Sequence, residues 1–178
     1  MAVRRALILT GTGMLASVTA TLVAEGWRVV APCRRYAPLP AYGVPQPRAE
    51  RGQLLWVPAD WEQPADLVKR VHGALGGPAD LLVAWVSRRH RVDVLSSVAG
   101  LLAAGAPVVD VVDGDGLHGG WPVLDAHPTQ QVVLGEVAEN DRRWPTHEEI
   151  VVGVLAAVRR AVAGGPPTMH YVGERQTV

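Results

Sequence analysis

The sequence predicts an α/β fold, doubly wound, with a mostly parallel seven-stranded sheet and helices on both faces. Three observations carry this. Short, almost wholly apolar runs, too brief for helices, recur along the chain and read as strands buried on both faces. Between them the apolar residues return at helical spacing, the alternation expected of a parallel sheet with crossover helices. Glycine or proline stands at most of the junctions, where the chain must turn. With 178 residues, 48% hydrophobic and 19% charged, the chain supports one core, and 1–178 reads as a single domain.

Residues 4–35 form the unit around which the rest is arranged. The run 6–9 is a strand, Leu15, Val18, Leu22 and Val23 give residues 14–24 a helical period, Gly26 stops that helix, and 27–31 is a second strand. The turn after the first strand reads Gly11-x-Gly13-x-x-Ala16. Two glycines let backbone N–H groups approach an anion closely, and the helix behind them presents unpaired N–H groups and a positive dipole end. In this strand–turn–helix–strand setting, Gly11, Thr12, Gly13, Met14 and Leu15 are the expected cradle for a dinucleotide pyrophosphate. The other reading is a tight turn without a ligand. The second strand exits into Pro32-Cys33-Arg34-Arg35, where a carboxylate for a ribose hydroxyl is missing. Arg34 and Arg35 suit a 2′-phosphate, so NADP(H) is expected over NAD(H), unless the two are merely solvated.

Composition narrows the setting. No apolar run reaches the roughly 18 residues of a membrane span, and the stretch after Arg4 and Arg5 is broken by Thr10 to Gly13, so it reads as the first strand of a cytoplasmic protein. The only cysteine, Cys33, excludes an internal disulfide and a multi-cysteine metal site; it is either a small buried apolar residue or a thiol activated by its neighbouring arginines. Zero formal net charge gives a nucleic-acid partner no electrostatic support, and six Trp with no Phe do not make a stacking surface.

Residues 36–53, with four prolines and two glycines, read as an exposed loop. A third strand spans 54–57. Beyond its end, Asp60 either bonds an adenine amino group, with Trp61 over the ring, or starts a turn or caps the next helix. That helix, 64–75, is amphipathic through Leu67, Val68, Val71 and Leu75 and ends at Gly76-Gly77-Pro78. A central strand follows over 81–86, its exit residues Ala84 and Trp85 placed against the cofactor ribose, with core packing as the other role for Trp85. The basic cluster Arg88-Arg89-His90-Arg91 at the same edge attracts an anionic substrate or is solvated. A helix is expected over 92–104 and a fifth strand over 107–112. The glycine-rich loop after it carries Asp113, Asp115 and His118, the candidate proton-handling residues; turn-forming Asp-Gly pairs explain the two aspartates equally well, and the spacing matches no metal loop. No long helix fits 121–129. A sixth strand spans 130–136, with Gly135 as a close-approach position. Thr146 with Glu149 three residues on forms a capping box for a helix running to Val162, and 169–172 closes the sheet.

The string Thr10-Gly11-Thr12-Gly13-Met14-Leu15-Ala16, Asp60-Trp61 after the third strand, Asp80-Leu81-Leu82-Val83 and the Thr146-His147-Glu148-Glu149-Ile150 helix start together resemble the short-chain dehydrogenase/reductase superfamily over nearly the whole chain. The likeness is nearest to small bacterial members that share Glu139-Asn140, Arg143-Trp144 and Thr146 to Ile150. It implies a seven-stranded sheet and NAD(P)(H) binding at Gly11 to Leu15. It also implies a Tyr-x-x-x-Lys pair, which this chain lacks: the only lysine is Lys69 and the tyrosines are Tyr36, Tyr42 and Tyr171. The expected function is therefore an atypical NADP(H)-dependent oxidoreductase acting on a small-molecule substrate with another proton donor. The alternative is a dinucleotide- or partner-binding protein without chemistry. An apolar face left uncovered by the short segment 121–129 would suit a homo-oligomer.

Overall fold

The structure, a computed structural model, describes residues 3–10, 13–35, 52–114, 124–135, 137–139 and 141–173. Its strands and helices, in chain order, are β1 (Arg5–Leu9), α1 (Ala16–Ala24), β2 (Arg28–Cys33), β3 (Gln53–Pro58), α2 (Pro64–Leu75), β4 (Leu81–Ala84), α3 (Arg88–Val98), β5 (Val108–Asp113), β6 (Thr129–Leu134), β7 (Val137–Glu139), β8 (Asp141–Arg143), α4 (His147–Val162) and β9 (Thr168–Val172). Seven strands form one sheet in the order β3-β2-β1-β4-β5-β6-β9, every pair parallel.

The apolar runs lie where burial on both faces puts them. Alternate residues of β1 enter opposite cores: Ala6 and Ile8 pack with α1 and α4, Leu7 and Leu9 with α2 and α3. Two helices therefore cover each face. Because β2 and β9 lie outward in opposite directions while α1 and α4 share a face, β1–α1–β2 and β6–α4–β9 have opposite hands. Parallel crossovers are right-handed almost without exception. The departure falls on the connection that contains the β7–β8 hairpin, whose extra length lets the chain reach the α1 face.

Helix ends follow their sequence signals. The α4 capping box is present, Thr146 Oγ1 accepting from the Glu149 amide at 3.2 Å and Glu149 Oε2 accepting from the Thr146 amide at 2.7 Å. Arg143 grips the same carboxylate through both nitrogens at 2.8 Å, tying β8 to the start of α4. These bonds hold the Glu149 carboxyl down at about 2, Arg143 contributing most. At α2 the left-handed Gly76 ends the helix, and arginines at the starts of the two strands beneath donate to its last carbonyls, Arg28 to Ala74 O at 2.8 Å and Arg5 to Leu75 O at 3.2 Å.

Several expectations are corrected. The third helix runs Arg88–Val98 rather than 92–104, because its buried side is set by Arg91, Val94, Leu95 and Val98 and the basic cluster supplies its first turn; Ala99–Leu101 follows as a 3-10 turn. Strand β4 stops at Ala84, opposite the last residue of β1, so residues 85 and 86 leave the sheet. Helix α1 starts at Ala16, two residues later than expected, and β6 ends at Leu134. The β7–β8 hairpin was not anticipated: three-residue strands give too little alternation to read. Most of the expected loop, 36–51, and residues 121–123 lie outside the described residues, and residues 124–128 hold no helix.

Candidate functional site

Since the seven strands are parallel, their exits share one edge, and the expected site residues fall along it. Arg34 and Arg35 follow β2, Asp60 and Trp61 follow β3, Trp85 follows β4, Asp113 ends β5 and Gly135 follows β6. Gly11, Thr12, Asp115 and His118 lie outside the described residues.

At the β1 exit, Thr10 has φ +70°, the only non-glycine in the left-handed region among the described residues. A β-branched residue is strained there. Its hydroxyl donates to Trp85 O at 2.8 Å and its amide to Pro32 O at 3.4 Å, so the exits of β4 and β2 both fix the turn. The chain then closes tightly, the Gly13 amide on Thr10 O at 3.1 Å and the Ala16 amide on Gly13 O at 3.0 Å. No side chain caps α1 and no acid stands in its first turn. Among the described residues nothing acidic faces the positive end of its amide dipoles beside the turn. Ser17, buried in that first turn, faces His147 of α4 at 3.4 Å, so the starts of the two helices converge.

The structure limits how each residue can act. Leu15 and Ala84 are fully buried, so they can offer a ligand only backbone groups. Met14 is 44% exposed and Gly13 is exposed. Asp60 Oδ1 accepts from the Glu62 amide at 3.0 Å, which makes it a turn residue; it does not cap α2, whose N-cap is Gln63. Trp61 and Trp85 are half-buried against the two cores, and Arg34 and Arg35 are exposed. Asp113 is exposed at the β5 exit, and the Gly135 amide donates to Val172 O at 2.8 Å. Cys33 is half-buried at the end of β2. Lys69 is exposed on α2, near one edge of the sheet, whereas Tyr171 lies on β9, the other edge strand, so these two cannot serve as a proton-donating pair. Among the described residues there is no cluster of three or more metal-ligating side chains, and no helix is long and apolar enough to cross a membrane.

One pairing was missed. Arg91, in the first turn of α3, meets Asp110 in the middle of β5: Nη2 contacts Oδ2, and Nε donates to Oδ1 at 3.4 Å. Both are buried, at 8% and 2% exposure. Burial pushes the Asp110 carboxyl above its ordinary value, and the Arg91 hydrogen bond and charge pull it back. The signal was in the sequence: a carboxylate inside the run Val-Val-Asp-Val-Val requires a buried partner.

No family model matches the sequence, and no curated protein matches it. Solved structures share its fold over nearly its whole length. A protein from Sinorhizobium meliloti described as a short-chain dehydrogenase/reductase superposes with a TM-score of 0.68 at 15% identity, covering 97% of this chain and 96% of its own. One from Burkholderia multivorans with bound NADP gives 0.60 at 18%, covering 99% of each chain. The NADH-dependent reductase A1-R′ complexed with NAD gives 0.65 at 15%, covering 99% of this chain and 97% of its own. The chain thus has the Rossmann-like fold of the short-chain dehydrogenase/reductases.

Proposed function

We propose that the chain belongs to the short-chain dehydrogenase/reductase superfamily and is an atypical NADP(H)-dependent oxidoreductase of a small molecule. The observation that carries this reading is the start of α1, without a side-chain cap or an acid among the described residues, behind the turn that Thr10 locks at the β1 exit. The residues fit a dinucleotide. The turn from Gly11 to Leu15 at the start of α1 would take the pyrophosphate, Arg34 and Arg35 the 2′-phosphate, Asp60 and Trp61 the adenine, and the backbone around Ala84, Trp85 and Gly135 the ribose and nicotinamide end. Bound there, the nicotinamide supplies or accepts a hydride. The chain must then move one proton, and Asp113 at the β5 exit is the described candidate, with Asp115 and His118 following in sequence.

A second reading, dinucleotide binding without turnover, is favoured by one fact: the tyrosine–lysine acid is absent from the sequence. Absorbance at the nicotinamide band over carbonyl, enone and imine substrates separates the two. Turnover that falls in Asp113→Asn supports the enzyme; NADPH binding with no turnover of any substrate refutes it. Arg34→Ala combined with Arg35→Ala should weaken NADPH and leave NADH unchanged; equal loss of both would remove the 2′-phosphate assignment.

A further inference from the structure

The α3 side of the sheet carries a polar side chain that the dinucleotide reading leaves without a role. Along β5 and β6, Val109, Val111, Val132 and Leu134 enter the core under α1 and α4, so by alternation Asp110 and Gln131 point to the opposite face. Gln131 is 5% exposed, and its Oε1 is buried with no hydrogen-bond partner among the described residues. Asp110, its neighbour in the register, supplies none, since both its oxygens face Arg91 donors. A bare buried acceptor is costly, and an aliphatic side chain would fill the same place without that cost. A donor that arrives with a ligand accounts for a glutamine at this position.

The register sets where that ligand lies. Leu9, Ala84, Asp110, Gln131 and Met169 stand side by side in one row, and the row is the level at which β1 and β4 end. Gln131 is therefore level with the β4 exit, on the strand beyond β5. On this face α2 packs against β2 and β3 and α3 reaches β5 through Arg91, while residues 124–128 hold no helix that would cover β6 and β9. Next to Gln131 the edge strand β9 presents Met169 and Tyr171, both half-buried, the phenol donating to Met169 Sδ at 3.1 Å. They make an apolar, aromatic wall beside the bare oxygen. With Arg91 already neutralised by Asp110, that oxygen repels an anion. We propose that this strip of β6 and β9 binds the substrate, a neutral molecule whose apolar body lies on Met169 and Tyr171. An O–H or N–H group of that molecule, apart from the reacting carbon, donates to Gln131 Oε1. Calling the molecule the substrate rests on the oxidoreductase reading; the acceptor site does not.

The probes are benzamide and methyl benzoate, similar in size and ring, of which only the amide has N–H donors. Each is titrated into the protein saturated with NADPH and followed in ¹H–¹⁵N spectra. Benzamide should move the Gln131 side-chain amide and the Val133 and Met169 backbone amides along one saturating curve. Methyl benzoate should bind at least about tenfold more weakly, because it leaves the buried acceptor unpaired. Gln131→Met nearly keeps the volume and removes the acceptor, so it should melt no lower than the parent, bind the two probes equally and keep NADPH affinity. No movement in β6 and β9, or equal binding of the two probes by the parent, overturns the site, and both are read on the parent whether or not the variant folds. A variant that still prefers benzamide overturns the Gln131 contact. Benzamide should also compete with whichever carbonyl, enone or imine is turned over; binding without inhibition overturns the substrate assignment. Should NADPH not bind, the dinucleotide reading falls by itself, and the benzamide titration of the cofactor-free protein still decides the acceptor site.

Discussion

Asp110→Asn gives the sharpest test of how the sheet is held on its α3 face. The substitution keeps the shape of the side chain and removes its charge, leaving the Arg91 guanidinium buried at 8% exposure without a counter-ion. Breaking a buried pair from one side costs about 3–5 kcal/mol, because the remaining charge keeps its desolvation penalty. For a chain of this size each kcal/mol lowers the melting midpoint by about 2–4 °C, so a drop of roughly 6–20 °C is expected. Replacing both partners, Arg91→Met with Asp110→Leu, should recover most of this, since two apolar side chains carry no desolvation debt. Urea unfolding followed by tryptophan fluorescence reads the parent, the single variant and the double variant, provided the m-value stays constant. A single-variant cost below about 1 kcal/mol, the range of an exposed pair, would refute the reasoning.

Three further outcomes follow from individual contacts. A Cβ on Gly153 would stand 2.3 Å from Val172 Cγ2, so Gly153→Ala should destabilise by about 1–3 kcal/mol despite its better helix propensity, and adding Val172→Ala should cost less than the sum of the two single changes. Glu149 is held at about 2, below its ordinary 4.5, so its contribution is full above pH 4.5 and disappears as the pH falls through 2; the stability gap between the parent and Glu149→Ala should close over that window, and a gap constant with pH would contradict the capping geometry. Burial first, and then the Arg160 charge, push the His170 imidazole below its ordinary value; Gln130 donates to Gly165 O and Pro166 O, so its carbonyl accepts from His170 Nε2 at 2.9 Å. The unfolded chain therefore protonates first as the pH drops below 6.5, stability falls there, and His170→Gln should flatten that slope in pH-dependent melting curves.

The parallel sheet was legible because its strands are buried on both faces and its helices on one, which writes two distinct periods into the chain; β1, α1, β2, α2 and α4 all follow from that. The capping box named the start of α4 because two side chains at fixed spacing make it. What local pattern could not convey was pairing across distance. Nothing around Thr10 points to the Trp85 carbonyl, and nothing around Ser17 points to His147, because each bond joins strand or helix ends brought together only by the sheet order. Basic residues 88–91 read as surface charge, yet tertiary burial of Val94, Leu95 and Val98 drew them into the helix and one of them into the core. The turn after β1 reads as a phosphate cradle from its two glycines, of which Gly11 lies outside the described residues.

The central claim is that the start of α1 grips a dinucleotide, and isothermal calorimetry of NADPH against the parent and Gly13→Asp tests it most directly. A carboxylate on the exposed Gly13, beside the amides that should meet the pyrophosphate, is expected to abolish the heat of binding that the parent shows while leaving the melting temperature close to its own. The account is contradicted if the parent releases no heat with NADPH or NADH, or if Gly13→Asp binds as tightly as the parent.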